Sequence, residues 1–244
     1  MERFRVMNGT QMKLLMVFLM FLDHLHYIYG LIPASTASIF TIISRCVAPM
    51  FAYLAVESVR HTHNLKKYCL RLSVLAGVMF IGNTVLNAIF RIYSGMLSDV
   101  ERKLLYCNNN VIFTLALGVI MITLVQQGEN QTKAKRKWFY LLGLVCFVTG
   151  FLWGEWGSVL MPFMLVEYLF HENRTMRLLG YGTIEIIALL LPFGEPLYFL
   201  VFPFIVLYNG ERGKSSAFSK YFFYIFYPVH LWLIGVVNFI VMMS

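Results

Sequence analysis

The stretch Lys13–Leu31 reads KLLMVFLMFLDHLHYIYGL, a long apolar run that carries Asp23, His24 and His26 near its middle. At about 1.5 Å per residue it covers roughly 28 Å, close to the thickness of a bilayer's hydrocarbon layer. An ionisable side chain at that depth costs about 2.5–3.5 kcal/mol on insertion scales. Leucine would anchor the chain without that cost, so Asp23 and His24 are expected to have a task inside the membrane. A leader peptide has a shorter apolar core without such groups, and the stretch therefore reads as an uncleaved first span.

Further apolar segments recur at about 38–59, 69–90, 110–125, 138–153, 158–170, 177–192, 197–208 and 221–243. With 59% hydrophobic and 13% charged residues, the 244-residue chain is too apolar to be coated with a water-soluble surface. The expectation is an all-α, polytopic transmembrane helix bundle of about nine spans, the sixth and eighth short. Residues 1–244 would form a single integral-membrane domain, because the longest loops, about 91–109 and 126–137, are too small to fold alone.

The formal charge of +8 marks topology. One alternating set of loops carries Arg3, Arg5 and Lys13, then Arg60, Lys66, Lys67 and Arg71, then Lys133, Lys135, Arg136 and Lys137, then Arg174 and Arg177, then Arg212, Lys214 and Lys220. The other set carries only Arg91, Arg102 and Lys103, with Arg45 inside a span. The positive-inside rule then puts the N-terminus in the cytoplasm and, after an odd number of spans, the C-terminus outside. That pattern removes nucleic acid as a partner. Cys46, Cys69, Cys107 and Cys146 show no paired spacing and read as small hydrophobes. No nucleotide-binding motif or metal-ligand cluster is visible, and no metal is expected. His24 and His26, two apart on a helix, point to different faces.

Counting along ideal helices from the cytoplasmic flank puts His24 roughly 16 Å up, His230 roughly 15 Å and Glu185 roughly 12 Å. Arg45, descending from the outer face, ends about 10 Å below it. These spans are expected to bring an acid, two imidazoles and a guanidinium to one mid-membrane cavity. Lys13 and His24, eleven residues apart, share a helix face. Asp23 and Arg45 fit either a structural ion pair or the site itself. Glu57, near the cytoplasmic interface, reads as a solvated or capping residue, while Glu167 is more buried and has no assigned task. Asn83, Asn87 and Asn238 read as interhelical hydrogen-bond formers. In the last span Pro228 precedes His230 by two residues, where its missing N–H should kink the helix and open a polar spot.

Several stretches together carry a resemblance: Met20-Phe21-Leu22-Asp23-His24; Arg45 to Tyr53; Glu57 with His61-Thr62-His63-Asn64, Tyr68 and Arg71-Leu72; Tyr208-Asn209-Gly210-Glu211-Arg212-Gly213; and Tyr221 to Leu231. In order and spacing they resemble the conjugal-transfer TraX proteins, which acetylate the N-terminus of F-type pilin. Those are related to a wider superfamily of membrane acyltransferases that use acetyl-CoA. The middle of the chain agrees more loosely, through Asn110 to Gly118 and Glu155-Trp156-Gly157. The superfamily's basic residue eleven before its key histidine is matched by Lys13 and His24, with Lys in place of Arg. Its two arginines three apart are not matched, since Arg71 stands with Lys66 and Lys67 upstream.

The resemblance implies an acyltransferase of the bacterial inner membrane that moves acetyl from cytoplasmic acetyl-CoA to an exported protein or a glycan. His24 would be the base, Asp23 its tautomer-setting or charge-balancing partner, and Arg45 or His230 the oxyanion stabiliser. Lys13, Arg60, Lys66, Lys67, Arg71 and Arg212 would supply the contacts to the acyl-CoA phosphates. Membrane lipid is the remaining partner. Two other classes stay open on the residues alone: a proton-coupled carrier using Asp23, His24, Arg45 and Glu185 as a relay, and a non-catalytic component that recruits partners in a conjugation or secretion machine.

Overall fold

In the computed structural model, residues 5–190, 198–213 and 217–244 are described. Arg3 and Lys214 of the basic loops lie outside them, as do the adjoining ends of the expected spans 177–192 and 197–208. The chain is an all-α membrane helix bundle, and among the described residues the only strand-like pairing is a single bridge between Met7 and Tyr208. In chain order the helices are α1 (Gly9–His24), α2 (Ala34–Ser44), α3 (Val47–His61), α4 (Leu65–Tyr93), α5 (Asp99–Leu104), α6 (Val111–Glu129), α7 (Lys133–Trp153), α8 (Gly157–Leu169), α9 (Arg174–Leu190), α10 (Val201–Leu207) and α11 (Ala217–Met243).

Four described helical stretches are long and apolar enough to cross a membrane: Ala34–His61, which takes in α2 and α3, Leu65–Tyr93, Val111–Glu129 and Tyr221–Met243. Gly157–Leu169 and Tyr198–Leu207 are apolar but shorter, as their sequence length foretold. At 13 residues, α8 rises only about 20 Å.

The first expected span differs from a continuous helix over 13–31. Asn8 caps α1, accepting from the backbone of Thr10 and Gln11, while Gln11 accepts from the Asn8 N–H in return. Met12, Met16, Met20 and His24 then recur every fourth residue and form its buried face. The helix stops at His24 and tightens into a 3-10 turn, Leu25–Tyr27. The stop has a local cause: His26 Nδ1 donates to the Asp23 carbonyl, taking an acceptor that a continuing helix would need. Gly30 follows in the left-handed region (φ +71°), and Pro33 precedes α2 in extended backbone.

The chain sorts into two compact units. The first gathers Met1–Val47, Val78–Asn109 and Phe202–Ser244, with α1 packed on α2 and on α11. Residues 104–109 are held by asparagines. Asn87 exchanges two hydrogen bonds with the Cys107 backbone (2.8 and 3.0 Å), Asn83 donates to Asn109 O (3.0 Å), and Asn238 donates to Leu104 O (3.2 Å). The expected helix-to-helix role applies at Asn83, whose Oδ1 accepts from Trp232 on α11. It applies at Asn238 too, which reaches from α11 to the last residue of α5, while Asn87 satisfies the backbone of a connecting segment.

The second unit gathers Ala48–Gly77 and Asn110–Val201, in which α6, α7 and α8 pack on one another and α8 packs on α9. The α7–α8 turn is tight. Thr114 donates to the Glu155 carbonyl (2.8 Å), the Glu155 carboxylate accepts from the Asn110 N–H, and Trp156 stands at φ 57°. Packing of Trp156 against Val159, Ala188 and Tyr198 holds that backbone conformation, which L-residues avoid. A methyl at Gly157 would sit 1.8 Å from the Gly150 carbonyl oxygen, a backbone atom that cannot swing aside. Gly157→Ala is therefore expected to destabilise the protein by about 3 kcal/mol, seen as a lowered midpoint of thermal unfolding in detergent. Gly77→Ala, with open space at its Cβ position, is the matched control.

Candidate active site

His24 ends α1, and His230 lies on α11, two residues after Pro228. The helix runs on through that proline as one element. The packing of α1 on α11 brings the two imidazoles together: His24 Nδ1 and His230 Nε2 are 2.9 Å apart, with ring planes within 18° of parallel. Both are buried, at 8% and 5% exposure, so they partner each other where water is scarce. His230 Nδ1 lies 2.7 Å from the Phe226 carbonyl oxygen. A carbonyl only accepts, so that nitrogen carries the proton. In the neutral ring, Nε2 is then the acceptor, and the hydrogen between the imidazoles belongs to His24 Nδ1. His24 is left with an unprotonated Nε2, the state a base needs. The geometry is that of an oriented base, with an imidazole in the place where a carboxylate more often sits.

Stacking supports the pair. Tyr27 faces His24 with ring centroids 5.4 Å apart, and Phe226 lies 4.7 Å from His230 at 15°. Tyr227 meets the His230 ring edge-on at 5.9 Å. Asn109 Nδ2 reaches the Tyr27 hydroxyl at 3.3 Å.

Asp23 does not take the position of orienting group. Its Oδ1 stands 3.9 Å from His26 Nδ1, on the side of the helix that its neighbour His24 leaves, as a rotation of about 100° per residue requires. Arg45 is half-buried in the turn that ends α2, in the same unit as both histidines. With both ring nitrogens of neutral His230 engaged, no N–H remains there for an oxyanion.

Of the expected phosphate contacts, Lys13 and Arg212 lie within electrostatic reach of each other. The loop Leu207–Gly213 makes this happen by clasping the start of α1. Val6 and Met7 N–H donate to Leu207 O (both 3.0 Å), Asn209 N–H to Met7 O (2.9 Å), Gly9 N–H to Glu211 O (2.7 Å) and Thr10 Oγ1 to Arg212 O (3.1 Å). Gly213, at φ +78°, lies so close to the Asn8 side chain that a Cβ would collide with it. The Lys13 ammonium is 5.9 Å from the centre of the Phe223 ring. Arg60, Lys66, Lys67 and Arg71 belong to the second unit, as does Glu185. Lys66 and Lys67 are exposed, Arg60 donates to Tyr168 O (2.8 Å) and lies over that ring, and Arg71 is half-buried.

The second unit also holds a polar cluster that the sequence reading left without a task. Glu167 on α8 is fully buried, accepting from Arg177 Nη1 (3.0 Å) and from the Tyr181 hydroxyl. His171, in the α8–α9 turn, lies 3.5 Å from both Glu167 Oε1 and Glu57 Oε1. Glu57 itself is buried at 8% exposure, which corrects its reading as a solvated or capping residue. A carboxylate inside the run MPFMLVEYLF was the available signal.

The sequence profile of the TraX proteins matches residues 8–238. The chain belongs to the TraX family. The TraX match takes in His24, His230, the loop Leu207–Gly213 and the buried glutamates alike. The chain is also similar to the probable fimbrial assembly protein FimC, serogroup H1, of Dichelobacter nodosus, at 26% identity over 248 residues, covering 93% of this chain and 94% of that protein. No solved structure matches the chain.

Proposed function

We propose that this TraX-family protein is a membrane acetyltransferase that moves acetyl from cytoplasmic acetyl-CoA to an acceptor amine or hydroxyl. The observation that carries the proposal is the hydrogen bond between His24 and His230, buried within one unit of the bundle. His24 Nε2 takes the proton as the acceptor nitrogen or oxygen attacks the thioester carbonyl. The carbon–sulfur bond then breaks, and the proton passes from His24 to the departing thiolate. His230 keeps His24 in the productive tautomer and shares the positive charge that His24 gains. Arg45 steadies the oxyanion, and Asp23 with His26 tempers the charge beside the pair.

Lys13 and Arg212, drawn together at the foot of α1, suit the phosphates of the donor, and Lys66 and Lys67 are exposed cations of the second unit assigned to the same donor. Arg60 and Arg71 complete the set of cations assigned to the donor. In this reading the protein is a multi-pass component of a bacterial inner membrane with a cytoplasmic N-terminus. The acceptor class that best fits a relative called a probable fimbrial assembly protein is the amino terminus of an exported pilin-like protein, with a glycan hydroxyl as the second class.

The test is radiolabelled acetyl-CoA added to purified protein in detergent with candidate acceptors. Label should move to an acceptor or onto the protein, and His24→Ala should stop it. Donor binding with no transfer to any acceptor would favour a recruiting component. No binding, together with solute uptake by vesicles carrying the protein, would favour a carrier.

A further inference from the structure

Glu57 on α3, Glu167 on α8 and His171 in the α8–α9 turn each direct one donor atom to a common point, all within 4.8 Å of one another. None of the three has a part in the acetyl-transfer reading. Glu167 and His171 stand four residues apart, a spacing that puts them on one helix face, whereas Glu57 comes from far upstream on α3. The Glu57 side chain is 10% exposed and the Glu167 side chain fully buried. Among the described residues, Glu57 Oε1 is a buried oxygen with no hydrogen-bond partner.

We propose that Glu57, Glu167 and His171 bind a divalent cation of the zinc class. Charge supports it: among the described residues the two carboxylates face one guanidinium, Arg177, and otherwise two imidazoles, His171 and His61, each 3.5 Å from a carboxylate oxygen. A proton on either imidazole would balance the second carboxylate, but spacing decides against that. A charged N–H···O contact closes to about 2.7–2.9 Å, whereas His171 Nδ1 stands 3.5 Å from each carboxylate oxygen. Two ligands bound at about 2.0–2.1 Å around a tetrahedral ion are about 3.4 Å apart, close to the separation observed. The imidazole nitrogen among the donors favours zinc over magnesium or calcium, which take oxygen.

Supporting groups are in place around the ligands. Arg177 and the Tyr181 hydroxyl fix the Glu167 carboxylate, and His61 Nε2 lies 3.5 Å from Glu57 Oε2. Glu167 Oε1 has a second lone pair for the ion beside its bond to Arg177. With three protein ligands, one coordination position stays open to water. Bound there, the ion would tie α3 to the α8–α9 hairpin.

The experiment uses full-length protein in detergent, stripped with chelator, then equilibrated with zinc and counted by elemental analysis. Cobalt titration reports the geometry through its visible bands. One zinc per chain is expected, with a tetrahedral cobalt spectrum. Losing an outer partner of a metal typically costs about 10–100-fold in affinity, so Glu57→Gln or His171→Gln should cost at least about 100-fold. His63→Gln, at an exposed histidine nearby in sequence, should change nothing. Should Glu57→Gln fail to fold, His171→Gln carries the test, because that side chain is 32% exposed and its loss leaves Glu167 paired with Arg177 and Tyr181. Folded protein that retains no zinc at micromolar free ion, or that binds it equally well in His171→Gln, overturns the proposal. Because the readout is binding, its result is separate from whether acetyl transfer is observed.

Discussion

His24→Ala is expected to lower acetyl transfer by about 10²–10⁴-fold while donor binding holds, because it removes the proton acceptor and none of the phosphate contacts. The more searching comparison is at His230, a positioning residue. His230→Gln keeps an oxygen that can accept from His24 Nδ1–H, so it should retain a measurable part of the rate. His230→Phe keeps the stack on Phe226 but offers no acceptor, and it frees His24 to hold its proton on either nitrogen. The expected order of kcat is wild type, then Gln, then Phe, with KM for acetyl-CoA little changed. A merely structural role for His230 would reverse this order, since Phe fills its space at least as well as Gln. Full activity in His24→Ala would end the catalytic assignment altogether.

Arg177→Met is expected to be among the most destabilising substitutions in the second unit. It strips a guanidinium, the only one beside it among the described residues, from a carboxylate with no solvent exposure, 3.0 Å away. Breaking a buried pair from one side typically costs about 3–5 kcal/mol, most of it the penalty of a stranded charge. Unfolding of chelator-stripped protein in detergent gives the measurement without interference from any ion. Glu167→Leu combined with Arg177→Met should cost well below the sum of the two single changes, because the double variant leaves neither member of the ion pair as a stranded charge. If Arg177→Met left stability unchanged, Arg177 would be a topology-marking cation and no more.

The residues that disclosed themselves in the sequence did so by violating a rule. Asp23, His24 and His230 lie in runs that should be wholly apolar, and counting turns from the basic flanks already put the two histidines at one depth. The structure adds which atoms meet. Asp23 faces His26 and His24 faces His230, because 100° steps around α1 separate neighbours in a way composition cannot show. The first span was legible as apolar, but not its end at His24, which depends on a side-chain hydrogen bond to the Asp23 carbonyl.

The cluster in the second unit was hidden for another reason. Two members had an adequate local explanation, Glu57 as an interfacial acid and Arg177 as one of many cytoplasmic cations, while Glu167 had no assigned task. Only the packing of α8 on α9, and the placing of Glu57 beside His171, shows that they answer to one another. The loop Tyr208–Gly213 was legible as a motif but not as a clasp. Its partners are backbone atoms at the far end of the chain, and backbone atoms leave no mark on the sequence.

The bond between His24 and His230 joins positions 206 residues apart. During synthesis at about 5–20 residues per second, the first imidazole would enter the membrane roughly 10–40 s before its counterpart leaves the ribosome. Until then helix α1 ends in a buried imidazole whose partner waits on the last segment to be translated. A chain cut short before α11 would therefore lack more than its last helix: its first would carry an unpaired buried histidine, and quality-control proteases would meet it as such.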